Sequence, residues 1–342
     1  MNSPQFRIAI FLLIGCYAAL AQPKKPLFFH LFADYGMTSD KSTVVYQDHK
    51  GYIWIGTEEG LNRFISYNDY NFKIYKSTRA DSTSLDNDYI TAMFEDSQNR
   101  LWVGTLSGLC LYNRSLDNFT RVCLRHPEMM KKPVSTIVEH NDQLWIGNNE
   151  QLLVYDADSD DVVKTYEINS TQAAGSSINA LLPGKAHIWV GTASGLFLVE
   201  NTRLDAVKGF EDKDISSLEF SPNNTLLIGT RNNGLIELNE TGEIQTLNTQ
   251  SNPKLTSNDI NDILTTANGT VWIATNAGLT FLDMQKWSTH SLQYDFNNSQ
   301  GLTDHEVRKL YEDNIGAVWL TTPLGGVNYY HDSDNQFNYY GQ

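Results

Sequence analysis

Eight histidines, at positions 30, 49, 126, 140, 187, 290, 305 and 331, are the side chains here best suited to metal binding or proton transfer. Their spacing serves neither. No pair stands at the His-x-x-x-His interval of a zinc site, and none lies in a nucleophile or Glu-flanked motif. Asp156-Ala-Asp-Ser-Asp-Asp161 has the alternating carboxylates of a calcium loop, but it lacks the glycine that such a loop needs at its sixth position. It is read as a solvated turn, as is Asp332-Ser-Asp334. Cys110 and Cys123 could pair across two strands of an exported protein, yet two ordinary buried thiols are the expected state, because many strand pairs fail disulfide geometry. No catalytic residue, metal site or cofactor is assigned.

The elements that would position a site are set by repetition. Seven segments align: Trp54-Ile-Gly-Thr-Glu-Glu-Gly-Leu61, Trp102-Val-Gly-Thr-Leu-Ser-Gly-Leu109, Trp145-Ile-Gly-Asn-Asn-Glu-Gln-Leu152, Trp189-Val-Gly-Thr-Ala-Ser-Gly-Leu196, Leu227-Ile-Gly-Thr-Arg-Asn-Asn-Gly-Leu235, Trp272-Ile-Ala-Thr-Asn-Ala-Gly-Leu279 and Trp319-Leu-Thr-Thr-Pro-Leu-Gly-Gly326. Their starts are separated by 48, 43, 44, 38, 45 and 47 residues. Each repeat reads as four short strands, A to D. Asp48, Asp96 and Asp313 open the A–B turns, and glycines such as Gly60 and Gly108 stand in the B–C turns. Helical periodicity is nowhere sustained. A four-stranded sheet has two apolar faces and neither is dry alone, so such sheets stack radially. The predicted fold is all-β: a seven-bladed β-propeller of four-stranded antiparallel blades. The six tryptophans should fill the seams between blades, and the glycine two residues later should admit the next sheet. Blade five, with Leu227, should be less well packed. Trp287 breaks the pattern and is placed near the C–D turn of blade six.

The pattern Asp-x-x-Gly-x-Ile/Leu-Trp-Ile-Gly-Thr-x-x-Gly-Leu, clearest from Asp48 to Leu61 and from Asp96 to Leu109, resembles the two-component regulator propeller repeat. Phe29-His-Leu-Phe-Ala-Asp-Tyr-Gly-Met37 is similar to the opening lines of these sensors. The resemblance implies a periplasmic sensor propeller that recognises breakdown products of complex polysaccharides. Such sensors typically carry two propellers, an immunoglobulin-like domain, a membrane helix and a histidine kinase. This sequence stops after one ring and has no kinase motif, so it is not read as an enzyme. A part of a longer sensor kinase is the expected arrangement, with a free-standing propeller used for protein interaction as the alternative and a propeller lyase or lactonase further behind.

In a propeller the B–C and D–A loops open on one face around the channel, where ligands usually sit. From those loops the ligand-binding candidates are Glu58, Arg79, Tyr89, Arg231, Asn232, Asn276, Asp304, His305 and Arg308. Their side chains can hydrogen-bond hydroxyl groups, and tyrosine can stack on a sugar ring. The expected ligand is a small molecule, an oligosaccharide by the resemblance, and a longer sensor could bring two copies together.

The ends and the charge bound the setting. Residues 1–21 read as a signal peptide: Arg7, an apolar run, then Ala19-Leu20-Ala21 before Gln22. Residues 22–342 then form the propeller, placed in the periplasm. A lipid anchor at Cys16 is the lesser alternative. No later apolar stretch is long enough to span a membrane. The net charge of −15 repels phosphate backbones, so nucleic acid is not an expected partner. Finally, the N-terminal segment Leu27 to Leu31 should complete the last blade by pairing with Val327 to Tyr330, leaving Phe337 to Tyr340 displaced.

Overall fold

All five residues of Ile53–Thr57, Leu101–Thr105, Leu226–Thr230 and Val271–Thr275 are buried. A strand covered on both faces must lie between two layers, and here the layers are neighbouring blades. The computed structural model describes residues 26–66, 71–122, 125–126, 132–168 and 177–331. These form seven antiparallel four-stranded sheets around a central channel. The first six blades span Ser42 to Tyr75, Ile90 to Arg121, Val134 to Glu167, Ile178 to Ala206, Ile215 to Leu247 and Ile260 to Leu292. The seventh has strands Lys309–Glu312, Val318–Thr321 and Val327–Tyr330, with Phe29–Leu31 as its fourth. Ala33–Tyr35 forms a 3-10 turn, and no α-helix occurs among the described residues.

The ring closes as expected from the N-terminal segment. Phe29 pairs with Tyr329, His30 with Asn328 and Leu31 with Val327. Phe29 stacks on Tyr329 at 5.1 Å, and Leu31 is fully buried. The free edge of the last blade is thereby covered. Residues 1–21, Cys123 and Phe337 to Tyr340 lie outside the described residues, so the leader, the cysteine pairing and the fate of the C-terminal segment are not addressed by the fold.

The seams follow one rule. Each strand-B tryptophan packs toward the next blade. Trp54, Trp102 and Trp319 are fully covered, and Trp145 and Trp272 nearly so. In three blades the turn aspartate latches this ring. Asp48, Asp96 and Asp313 each accept the indole N–H of Trp54, Trp102 or Trp319 at 2.9 Å on Oδ2. Their Oδ1 atoms accept two backbone N–H groups of the turn, such as Ile315 and Ala317 in the last blade. The glycine after the tryptophan is required by close approach. A Cβ at Gly104 would sit 2.8 Å from Val134 of the next blade, and one at Gly191 2.6 Å from Ile215.

Two details differ from the sequence reading. Trp189 is partly exposed, less covered than the other five tryptophans of the motif. Leu227, in contrast, is completely buried, so blade five is not loose at that position. The reason is Trp287, which sits between the C and D strands of blade six, Gly278–Asp283 and Ser288–Leu292, and packs with Met284 against the Leu227 cluster. An indole from the next blade fills the volume that Leu227 leaves.

Candidate functional site: a polar funnel at the channel mouth

Strand A of each of the first six blades carries a β-bulge at the same place, between Ser42 and Val44, Ile90 and Ala92, Val134 and Thr136, Ile178 and Ala180, Ile215 and Ser217, and Ile260 and Asp262. The bulged residues are Thr43, Thr91, Ser135, Asn179, Ser216 and Asn261. In blade seven Arg308 takes this position, its N–H donating to the Thr321 carbonyl opposite Lys309 at 2.8 Å. A bulge turns one side chain out of the sheet alternation. All seven of these side chains line a funnel of about 330 Å³, together with Tyr89, Arg231, Glu306 and Lys309.

Part of this polar ring is structural. Thr91 donates to the Val134 carbonyl at 2.5 Å, Asn179 to Ile215 at 2.8 Å, Ser216 to Ile260 at 2.5 Å and Asn261 to Val307 at 2.9 Å, and Ser135 donates to Ile178. Each acceptor is the carbonyl just before the bulge of the following blade. These five hydrogen bonds tie blade to blade around the channel. Thr43 does not continue the series: its hydroxyl is buried without a partner.

The groups with capacity left for a ligand are the long ones. Arg308 approaches Glu58 and Glu306 at 3.4 Å each, and Lys41 approaches the other oxygen of Glu58 at 3.3 Å. The Tyr89 hydroxyl reaches Glu58 at 3.5 Å. Burial and then the Glu58 charge raise the Tyr89 pKa, so it is a neutral phenol that can donate. Arg231 donates to Asn261 at 2.5 Å and lies 3.7 Å from Asp259. Deeper, Lys309 pairs with Asp262 at 3.3 Å. These ion pairs are long and partly exposed, and such contacts hold little energy against a competing ligand group. The funnel can therefore offer two guanidinium groups, an ammonium and a phenol to hydroxyl or carboxylate oxygens. Among the described residues no histidine lines it.

Of the nine candidates, Tyr89, Arg231 and Arg308 line the funnel. Glu58 joins them through Arg308 and Tyr89. Asn276 stands one step back, accepting a hydrogen bond from Asn261 at 2.8 Å. The remaining four lie elsewhere. Asp304 accepts the Leu324 N–H at 3.0 Å, His305 packs edge-on to Tyr294 at 4.7 Å, and Asn232 and Arg79 are exposed on their loops. Sequence reasoning missed Asn179, Asn261, Glu306 and Lys309. The signal was present in the aligned repeats: the residue after the first apolar or small residue of strand A is polar in all seven.

The other acidic and sulfur features have local partners. Asp156 accepts the N–H groups of Asp158 and Ser159 within its own turn. Asp158 pairs with Arg100, and Asp160 with Arg125 and His126. The Cys110 thiol lies 3.4 Å from Asp86.

Comparison with known proteins agrees with this architecture. Residues 36–59 and 84–107 match the two component regulator propeller, and residues 188–309 match the TSS9, PorZ, N-terminal beta-propeller domain. No curated protein matches the chain. Among solved structures, the chain is similar to the extracellular domain of BT3049 from B. thetaiotaomicron, described as a hybrid two component system, with TM-score 0.74 and 20% identity over 90% of this chain and 42% of that one. It is similar to the extracellular domain of BT4673 from the same organism, described as a one component system, with TM-score 0.70 and 21% identity over 89% of this chain and 40% of that one. The chain thus spans less than half the length of these two domains. A streptogramin B lyase matches at TM-score 0.66 and 13% identity, over 89% of this chain and 98% of that one. Identities this low establish a shared fold. The chain is a seven-bladed β-propeller that carries two-component regulator propeller repeats.

Proposed function

We propose that this chain is the ligand-receiving propeller of an extracytoplasmic sensor in a two-component system, and that the funnel takes a small glycan-derived ligand. The observation that carries this reading is the funnel itself, with Tyr89, Arg231, Arg308 and Lys309 around a ring of bulged polar residues. Sugars need many directional hydrogen bonds, and planar guanidinium groups supply them in pairs. The repeat matches and the extracellular sensor domains of similar fold support the signalling context. In this reading residues 1–21 direct export, the propeller faces the periplasm, and a kinase lies in a longer protein of which this is one domain.

The test is a glycan panel, including uronic acid oligosaccharides, titrated by calorimetry into the purified propeller. Binding of a panel member that weakens about tenfold or more in R231A/R308A supports the reading. Absence of binding across the panel refutes it, and turnover of a panel member would point to a lyase. A second reading takes the propeller as a protein-interaction module. A folded protein retained on the immobilised propeller, with retention lost in R231A/R308A and no glycan bound, would favour it.

A further inference from the structure

A second site follows from the way the seams are closed. The strand-C residue that faces each tryptophan from the next blade is aromatic at four seams. Tyr112 lies 4.9 Å from Trp54, Tyr155 5.8 Å from Trp102 and Tyr330 5.7 Å from Trp272, and Phe64 shares the Trp319 cluster. At the two seams flanking blade four, that residue is aliphatic: Val199 faces Trp145 and Leu238 is packed in the cluster of Trp189. The latching aspartate is missing there too. Pro183 stands six residues before Trp189, and Glu139, six before Trp145, is turned to Ser97 instead. The Trp145 indole N–H is buried and unpartnered. Both seams are left open at the end formed by the A–B and C–D turns, opposite the funnel. The cleft at the blade 3–4 seam is about 420 Å³ and that at the blade 4–5 seam about 750 Å³.

The larger cleft is built like a ligand site. Its walls are Trp189, Phe210, Phe220, Leu226 and Leu238, of which Phe210 and Leu226 are buried and Trp189 is partly exposed. His187 stands edge-on to Trp189 at 5.3 Å. The charged side chains that line it are Lys185 on the A–B turn and Lys208 on the D–A segment, against Glu240 on the C–D turn. The volume falls within the range of pockets that enclose small molecules, about 300–1,000 Å³, whose walls are mostly apolar with few polar groups. Walls of this kind suit a flat ring and lack the polar floor a sugar requires. Two lysines against one glutamate, on a chain of net charge −15, favour an anionic substituent.

We propose that the blade 4–5 cleft binds a planar aromatic small molecule bearing a carboxylate or comparable anionic group, at a site separate from the funnel. The missing strand-C ring leaves the room, and the ligand's ring replaces it against Trp189. The test uses 2-naphthoate as probe, followed by calorimetry and tryptophan fluorescence. The wild-type propeller should bind it saturably at one site per chain. L238Y restores the ring found at the other seams, so it should fold with an unchanged circular dichroism spectrum and bind at least about tenfold more weakly. L238F is the second filling variant, should the tyrosine hydroxyl find no room. V199Y fills the neighbouring seam and should leave binding unchanged. Neutral 2-naphthylmethanol should bind roughly threefold more weakly than the carboxylate, a difference lost in K185E/K208E. Absence of saturable binding, undiminished binding by both filling variants, or an equal loss in V199Y would each overturn the proposal. So would a protein that competes for this face while naphthoate does not bind.

Discussion

Replacing Asp313 with alanine tests the account of how a blade is held to its neighbour. Its carboxylate accepts three neutral N–H groups: Ile315 at 3.1 Å, Ala317 at 2.8 Å and the Trp319 indole at 2.9 Å. Ile315 is exposed and its amide can turn to water, whereas Ala317 and Trp319 are buried and cannot. D313A therefore orphans two buried donors. Each unsatisfied buried group costs about 1–3 kcal/mol, so the loss should be about 3–4 kcal/mol. D313N keeps an acceptor for the turn amides but sets an amide donor against the indole, and should lose about 1–2 kcal/mol. Urea unfolding followed by far-ultraviolet circular dichroism measures both without relying on tryptophan emission. Because Trp319 is the partner, a double-mutant cycle with W319F should show a coupling of about 1–2 kcal/mol. A D313A protein within about 0.5 kcal/mol of wild type, or a cycle with no coupling, would show that the latch does not hold the seam.

Other features of the ring give further expectations. Glu219 lies on strand A of blade five, on the face that Ser217 turns toward Asp262, and burial followed by the Asp262 charge pushes its pKa up to about 7. The folded state then holds a proton that the unfolded chain releases near its ordinary value of 4.5, so stability should fall by roughly 2–3 kcal/mol as pH rises from about 4.5 through 7; urea midpoints across that window should flatten in E219Q. G191A drives a methyl group to within 2.6 Å of Ile215 in the next blade and should cost about 1–3 kcal/mol by the same assay. Removing residues 1–31 exposes the Val327 to Tyr330 edge, and light scattering should then show association that the full propeller lacks.

Much of the architecture was legible in the sequence because a propeller repeats one local solution. The tryptophan, the glycine two places on and the turn aspartate recur in register, so blade number, strand order and the seam position of five tryptophans could be read by alignment. Even the closing strand was visible, since Leu27 to Leu31 is an apolar segment with no blade of its own. The sequence could not show what faces a residue across a seam. Leu227 is a small residue at a position built for a large one, and its burial depends on Trp287, sixty residues later and one blade away. Trp189 has the same motif as Trp54, yet it is left partly exposed because the next blade supplies Leu238 where others supply an aromatic ring. The funnel shows the same division. The polar residue after the start of strand A is a column in the sequence, but only the bulge turns it into the channel. Glu58 and Arg308 meet only because the ring closes the first blade against the last. Local chemistry determined each blade; the contacts between blades, which decide where a ligand can enter, belong to the closed ring alone.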